Sequence, residues 1–369
     1  MAVHFLKPLE RRIRRSLLLG RNGFTGTLIR SPEDALQLRP DPAILLLRAE
    51  RIGDVLVTVP IIRAIRRRYP LATIDILLTD ANEHARDAVR PWIDGIWVYH
   101  KRPASALALV HKIRSRRYDL LLDFQNGPST TSQLAARWAG AANVLGLLHE
   151  RASHLTHAVA LLDRHQVHIV DRLAQLLLAF GIDPATEPLD LEYRLSDADR
   201  SRAAAQLRPS QRARRLAVNV SGRGLRKRWG RNRFISAIEF VQQHHPEFEI
   251  LICGSPADSA EVEIIASATG SEPLPPLPFH AFASVIHECN LLLTPDTSVV
   301  HLAAAWKIPA VVLFAEDPHT LPWTPYRSPH RAIIQQGPLA NIAVERVTQG
   351  LTELIQETWP VMTGPTVRR

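Results

Sequence analysis

Asp296, Thr297, Ser298 and His301 follow an apolar run, Leu291-Leu292-Leu293, that stops abruptly at Thr294-Pro295. A strand, a polar turn and a fresh helix start present unpaired backbone N–H groups and a positive dipole end, which suits a phosphate. His301 stands three residues after Ser298 and four after Thr297, so helical spacing puts its ring on the face of those hydroxyls. The same residues also admit a structural reading, with Asp296 as a helix cap and His301 packed between helix and sheet. A second stretch, Ser221-Gly222-Arg223-Gly224-Leu225-Arg226-Lys227-Arg228, loads cations and glycines directly after the expected strand Leu216–Val220. Glycines let a backbone approach phosphate closely while Arg and Lys supply charge; the alternative is a solvated basic loop. A third places Asp54 after Arg51-Ile52-Gly53, where its carboxylate is either a base or an N-cap. Asp258 and Glu261, after the run Glu249–Cys253, are acidic groups placed to bind a ribose diol. Asp197-Ala198-Asp199 has the form of a metal-binding DxD, but its setting reads as a capped, exposed helix start.

The elements that must position these residues alternate along the chain. Ala43–Leu47 is a continuous apolar run of buried-strand length, and Val55–Ile65 acquires helical spacing, with Pro60 either kinking that helix or sitting in its first turn. Strands are expected at 73–78, 95–99, 119–123 and near 144–145, with helices between; the strand at 119–123 runs into the polar turn Phe124-Gln125-Asn126-Gly127. A helix over 165–180 closes at Gly181, and strand–helix alternation resumes at Arg215. Such alternation specifies α/β structure with parallel sheets covered by helices. We expect a basic amphipathic extension over 1–40, domains over 41–185 and 215–340, a proline- and charge-rich linker over 186–214, and a C-terminal helix and tail over 341–369.

The formal net charge is +9, concentrated at Lys7–Arg15 and Arg212–Arg233, which favours an anionic partner. Leu6, Leu9, Ile13 and Leu17 share a helical face among arginines, a pattern that either lies on anionic headgroups or packs on the protein body. No aromatic-interleaved basic patch points to nucleic acid. No apolar run reaches the roughly 18 residues of a membrane span, and no signal-peptide pattern opens the chain. A cytoplasmic protein is expected. Cys253 and Cys289 are far apart and read as core residues.

Taken together, LLLRAERIGDVLVTVPIIRAIRRRYP, YDLLLDFQN, the loop leading to KRWGRNRF and LLLTPDTSVVHLAAAWKIPAVVLF resemble glycosyltransferase family 9, the heptosyltransferases of the lipopolysaccharide inner core. The resemblance implies two Rossmann-like domains facing across a cleft, the GT-B arrangement, with the acceptor on the first and an ADP-heptose donor on the second. It places the family's Gly-Asp aspartate on Asp54 and its phosphate-contacting lysine on Lys227. Its Asp-Thr-Gly or Asp-Ser-Gly segment with a downstream histidine falls on Asp296, Thr297, Ser298 and His301. Ser221, Gly222, Arg228 and Asp258 complete the expected nucleotide-sugar side, and Arg51, Gly53 and Gln125 the acceptor side. Two positions depart from the pattern: Ser298 replaces glycine, narrowing the diphosphate space if φ is positive there, and Ser221-Gly222 replaces Pro-Gly.

Glycosyl transfer from a sugar diphosphate needs a base for the acceptor hydroxyl and cations for the departing diphosphate. Asp54 is the expected base. Lys227 with Arg226 or Arg228, the N–H groups at Thr297 and Ser298, and the helix dipole offer charge without metal or other cofactor. One carboxylate with no nucleophilic partner fits direct displacement with inversion. The expected partners are therefore a nucleotide sugar, an anionic lipid-linked saccharide and the inner face of the cytoplasmic membrane, not nucleic acid. Two alternatives stand beside this reading: a transferase acting on a protein or another glycan, and a non-catalytic descendant that binds membrane or a partner.

Overall fold

The computed structural model describes residues 23–100, 103–207, 209, 212–316 and 321–360. The chain divides into two compact units, Met1–Leu189 and Asp190–Arg369. The basic helix expected near the N-terminus lies outside the described residues.

Unit 1 is built on a seven-stranded parallel sheet in the order β1-β7-β6-β5-β2-β3-β4. Its strands are β1 Thr27–Ile29, β2 Ala43–Leu47, β3 Thr73–Thr79, β4 Gly95–Tyr99, β5 Leu120–Asp123, β6 Asn143–Leu147 and β7 His157–Val159. The residues of β2 and β5 are buried throughout, as apolar runs covered on both faces must be. From β2 the chain winds one way to β3 and β4; from β5 it winds the other way to β6 and β7. β2 and β5 are neighbours, so the winding reverses between them, the kind of place at which open α/β sheets take their ligands. Pro60 sits in the first turn of the helix Val59–Arg68, where its missing N–H costs nothing, and does not kink it. One expectation is corrected here: Thr27–Ile29, assigned to the N-terminal extension, is a strand paired with β7. Three residues are too short a run to show alternation against the surrounding polar sequence.

Unit 2 carries a six-stranded parallel sheet, order β10-β9-β8-β11-β12-β13. These are β8 Arg214–Asn219, β9 Phe248–Cys253, β10 Glu272–Pro273, β11 Leu291–Pro295, β12 Ala310–Phe314 and β13 His330–Ile334. Its winding reverses between β8 and β11, which pair directly. Residues 186–214, expected as a linker, hold the helix Asp197–Gln206, which packs on the helix Phe279–His287. Asp199 closes that helix's capping box on Ser196, whose hydroxyl is the largest cause holding the carboxyl below the usual carboxylate range. It therefore reads as a cap and not as half of a metal site. Among the described residues, no helix is long and apolar enough to cross a membrane.

Candidate active site

Both winding reversals carry residues that the sequence singles out. In unit 1 the first residue beyond β2 is Arg48, whose side chain is fully buried. Nε donates to the Asp54 backbone carbonyl at 3.0 Å, Nη2 to Asp54 Oδ1 at 3.1 Å and Nη1 to the Phe124 carbonyl at 2.8 Å. A guanidinium that leaves water must be paired, and this one ties the exits of β2 and β5 together. Asp54 is the third residue of the short helix Ile52–Leu56 and is only 6% exposed. Its Oδ2 accepts the Arg51 N–H at 2.9 Å. The N-cap reading of Asp54 is corrected: Arg51 holds the cap position, and Asp54, at the third helical position, reaches back to the Arg51 N–H with Oδ2 while Oδ1 pairs with Arg48.

Gln125 joins the same network. Its side chain donates to Glu50 Oε1 at 2.8 Å, and Glu50 Oε2 accepts from Arg48 Nη1 at 3.4 Å. Asp123, at the end of β5, accepts Gln125 N–H at 3.0 Å and Ser132 Oγ at 3.1 Å through Oδ1, while Oδ2 lies 3.3 Å from His154 Nε2. His149, its ring centroid 6.1 Å from that of His154, is held below the ordinary imidazole range by burial first and then by His154. Arg51 points to solvent, and Gly53 is a half-buried position inside the helix.

In unit 2 the loop after β8 folds back on itself. A Cβ on Gly222 would collide with the Lys227 carbonyl, and Gly224 has φ +78°, a conformation that L side chains rarely adopt. This fold brings Lys227 Nζ into an ion pair with Asp296 Oδ2, just beyond β11. Asn219, the last residue of β8, donates to Thr294 Oγ1 at 2.9 Å and Thr297 Oγ1 at 3.1 Å, fixing both turns to each other. Asp258 gathers Ser221 Oγ at 2.7 Å, Ser255 Oγ at 2.6 Å and Arg228 Nη2 at 3.2 Å. Glu261 is instead engaged by Arg231, with contacts from 2.5 Å. Arg226 is exposed at the loop tip.

The helix Val299–Trp306 begins after Ser298, which has φ −59° and makes no side-chain cap bond. Positive φ, the condition under which this serine would narrow the phosphate space, is therefore not met. Asp296 does not cap the helix through its side chain either; that carboxylate goes to Lys227. His301 is buried at 4% exposure, its ring centroid 6.2 Å from that of Trp323.

The expected residues therefore form two groups. Arg51, Gly53, Asp54 and Gln125 lie together in unit 1; in unit 2 Ser221, Gly222, Lys227 and Arg228 follow β8, Asp296, Thr297 and Ser298 follow β11, His301 is in the helix after them, and Asp258 reaches Ser221 and Arg228 from the turn after β9. Sequence reading missed Arg48, Glu50, Asp123, His154 and Asn219. Arg48 carried a usable signal: a cation directly after a wholly apolar strand is forced into burial and must find an anion. For metal ligation, Asp80, Glu83 and His100 have ligand atoms within 4.8 Å of one another, but the group is at the surface and Glu83 is already bonded to Arg86 at 3.0 Å.

Residues 106–345 match the family model Glycosyltransferase family 9 (heptosyltransferase). The chain belongs to glycosyltransferase family 9. Among its relatives, this glycosyltransferase is 25% identical over 292 residues to lipopolysaccharide heptosyltransferase 3 of Escherichia coli K12, covering 74% of this chain and 83% of that protein. Its fold matches a family 9 glycosyl transferase from Veillonella parvula with a TM-score of 0.72 at 19% identity, covering 88% of this chain and 99% of the other. It also matches the E. coli heptosyltransferase WaaC with ADP-2-deoxy-2-fluoro heptose at a TM-score of 0.67 and 16% identity, over 84% and 99% of the two chains. The two parallel-sheet units of this glycosyltransferase are of the GT-B type.

Proposed function

We propose that this glycosyltransferase moves a heptose from ADP-heptose to an inner-core acceptor of lipopolysaccharide, by single displacement with inversion at the sugar carbon. The relatives support the sugar and acceptor classes: one is a lipopolysaccharide heptosyltransferase, and one similar structure holds an ADP-heptose analogue. The observation that carries the mechanism is the state of Asp54. Each of its oxygens accepts one bond, from Arg48 and from the Arg51 N–H, whereas a carboxylate offers about four lone-pair sites. The carboxylate is thus fixed in orientation with acceptor capacity left for a substrate hydroxyl. As the hydroxyl oxygen attacks the anomeric carbon, its proton passes to Asp54 and the bond to the ADP oxygen breaks.

The departing diphosphate is held by Lys227 with Arg228 or Arg226, the N–H groups at Thr297 and Ser298, and the dipole of the helix they begin. Asp296 aims the Lys227 ammonium at that place before the donor arrives. His301 shapes the helix face beneath it, and Asp258 orders the Ser221–Gly222 turn or meets the ribose. Gln125, Arg51 and Gly53 border the acceptor. The mechanism assigns no role to a metal or other cofactor. The acceptor is an anionic saccharide on lipid, so the enzyme works in the cytoplasm, peripheral on the inner face of the inner membrane.

The test is transfer of radiolabelled heptose from ADP-heptose to core-truncated lipopolysaccharide. Wild-type protein transfers label, and Asp54→Asn lowers kcat by about 10²–10⁴-fold while still binding ADP. Absence of both ADP-sugar binding and transfer, or an Asp54→Asn variant as active as wild type, refutes the reading.

A further inference from the structure

Two neighbouring helices of unit 1, Pro103–Ser115 and Thr130–Ala139, cover one face of its sheet. Inward they give Ile113, Ala135, Ala136 and Ala139 to the core. Their outer surface differs from an ordinary solvated face in two respects. No Asp or Glu occurs from Gly95 to Tyr118, nor from Phe124 to His149. Meanwhile Lys112, Arg114, Arg117, Arg137 and Trp138 are exposed, and Leu107 is 75% exposed, among the largest apolar exposures in the described chain.

Ordinary helix surfaces mix both signs of charge, because solvation alone does not require one sign. Here the two helices carry cations and no carboxylate of their own, although Arg116 just beyond the first reaches Asp75 at 3.8 Å, and the exposed Leu107 and Trp138 accompany them, a combination that marks a binding face. The two helices are locked together at this surface, with Arg114 donating to the Trp138 carbonyl at 2.9 Å and to the Arg137 carbonyl at 3.5 Å. Leu107, His111 and Arg114 fall on one face of their helix at spacings of four and three. An indole, a leucine and several cations is the chemistry of a helix lying in a headgroup layer: apolar groups reach the acyl boundary and cations neutralise anionic lipid.

We propose that the outer face of these two helices, centred on Leu107, Lys112, Arg114, Arg137 and Trp138, docks this glycosyltransferase on an anionic lipid bilayer. The proposal extends the lipid-anchored acceptor assigned above, but it concerns bare lipid and stands whatever sugar is transferred. It also differs from binding through the N-terminal basic segment, since it rests on other side chains.

Flotation of the full-length protein with phosphatidylglycerol/phosphatidylcholine vesicles, and with phosphatidylcholine vesicles alone, tests it. Wild-type protein should bind the anionic vesicles and be released by salt, as screening of surface charge requires. Leu107→Ser with Trp138→Ser, and separately Lys112→Glu with Arg137→Glu, should each weaken binding at least about tenfold. The N-terminal arginines are intact in both variants, so the loss belongs to this face. Thermal unfolding and ADP binding, which these exposed residues do not serve, should match wild type. If both double variants are folded and float like wild type, or if neutral vesicles bind equally well, the proposal is overturned. Neither result bears on heptose transfer to a detergent-dispersed acceptor.

Discussion

Arg48 Nη2 lies 3.1 Å from Asp54 Oδ1 while Nε of the same guanidinium takes the Asp54 backbone carbonyl at 3.0 Å. One side chain thereby fixes both the carboxylate and the backbone that bears it. Because Nη1 also takes the Phe124 carbonyl, the fork sets the position of Asp54 against the turn that bears Gln125.

A lysine could supply the charge but not three directed bonds from one plane. Arg48→Lys should therefore fold and retain ADP affinity, yet lose about 10–100-fold in kcat, as misplacement by about an ångström does. Arg48→Met should be harsher, removing about 3–5 kcal/mol of stability because the Asp54 carboxylate stays buried without its counter-ion. Replacing both, as Arg48→Met with Asp54→Leu, should restore much of that stability and none of the activity. Urea unfolding beside steady-state kinetics reads all three; a fully active Arg48→Met would refute the role.

The donor loop gives a second prediction, from two glycines that differ in what constrains them. A Cβ on Gly222 meets the Lys227 backbone, which cannot yield as a flexible side chain could. Gly222→Ala should push Lys227 away from Asp296 and weaken ADP binding by about tenfold or more, the worth of one charge-assisted bond. Gly224 has open space around its Cβ position and is constrained only by φ +78°. Gly224→Ala should cost about 1 kcal/mol of loop strain and a smaller share of affinity. Calorimetric titration with ADP ranks the two, and equal losses would contradict the collision argument.

Much of this site was legible because apolar strands ending in polar turns announce where a parallel sheet presents its ligands. Asp54, Gln125, Lys227 and Thr297 were all found by that rule. The rule does not show strand order, so nothing in the sequence revealed that β2 pairs with β5, or β8 with β11, placing each pair of turns at a reversal of winding. Arg48 escaped because it looks like the polar end of a strand, although its partners lie 6 and 76 residues away. Asn219 likewise reaches Thr294 across 75 residues of sequence. The short strands β1, β7 and β10 were invisible for a different reason: two or three residues cannot show periodicity, and their pairing is decided by neighbours.

Burial pushes the Cys289 thiol up to about 12 and raises that of Cys253 as well. The thiolate is the reactive species, so neither group should be modified in the native protein. Iodoacetamide at pH 8 should leave intact protein unlabelled and add two labels once urea unfolds it, as mass spectrometry would show. Labelling of the native state within minutes would mean that Cys253 in β9 or Cys289 in the turn before β11 opens to solvent.

Acid sensitivity should come from histidines before carboxylates. His149, His157 and His245 are all held below the ordinary imidazole value, each chiefly by burial. Between their folded values and about 6.5, where the unfolded chain already binds protons, the unfolded state takes up more protons than the native one. Stability therefore rises with pH through that window, and the loss on acidification is complete once pH lies below the folded values. The depressed Asp199 carboxyl acts in the same direction but only at far lower pH, beneath the ordinary aspartate range. Melting temperatures should be flat above about pH 7 and decline as pH falls below about 6.5. His149→Gln and His157→Gln together should flatten that decline, since glutamine carries no proton to bind in either state. A slope unchanged in the double variant would assign the acid sensitivity to other groups.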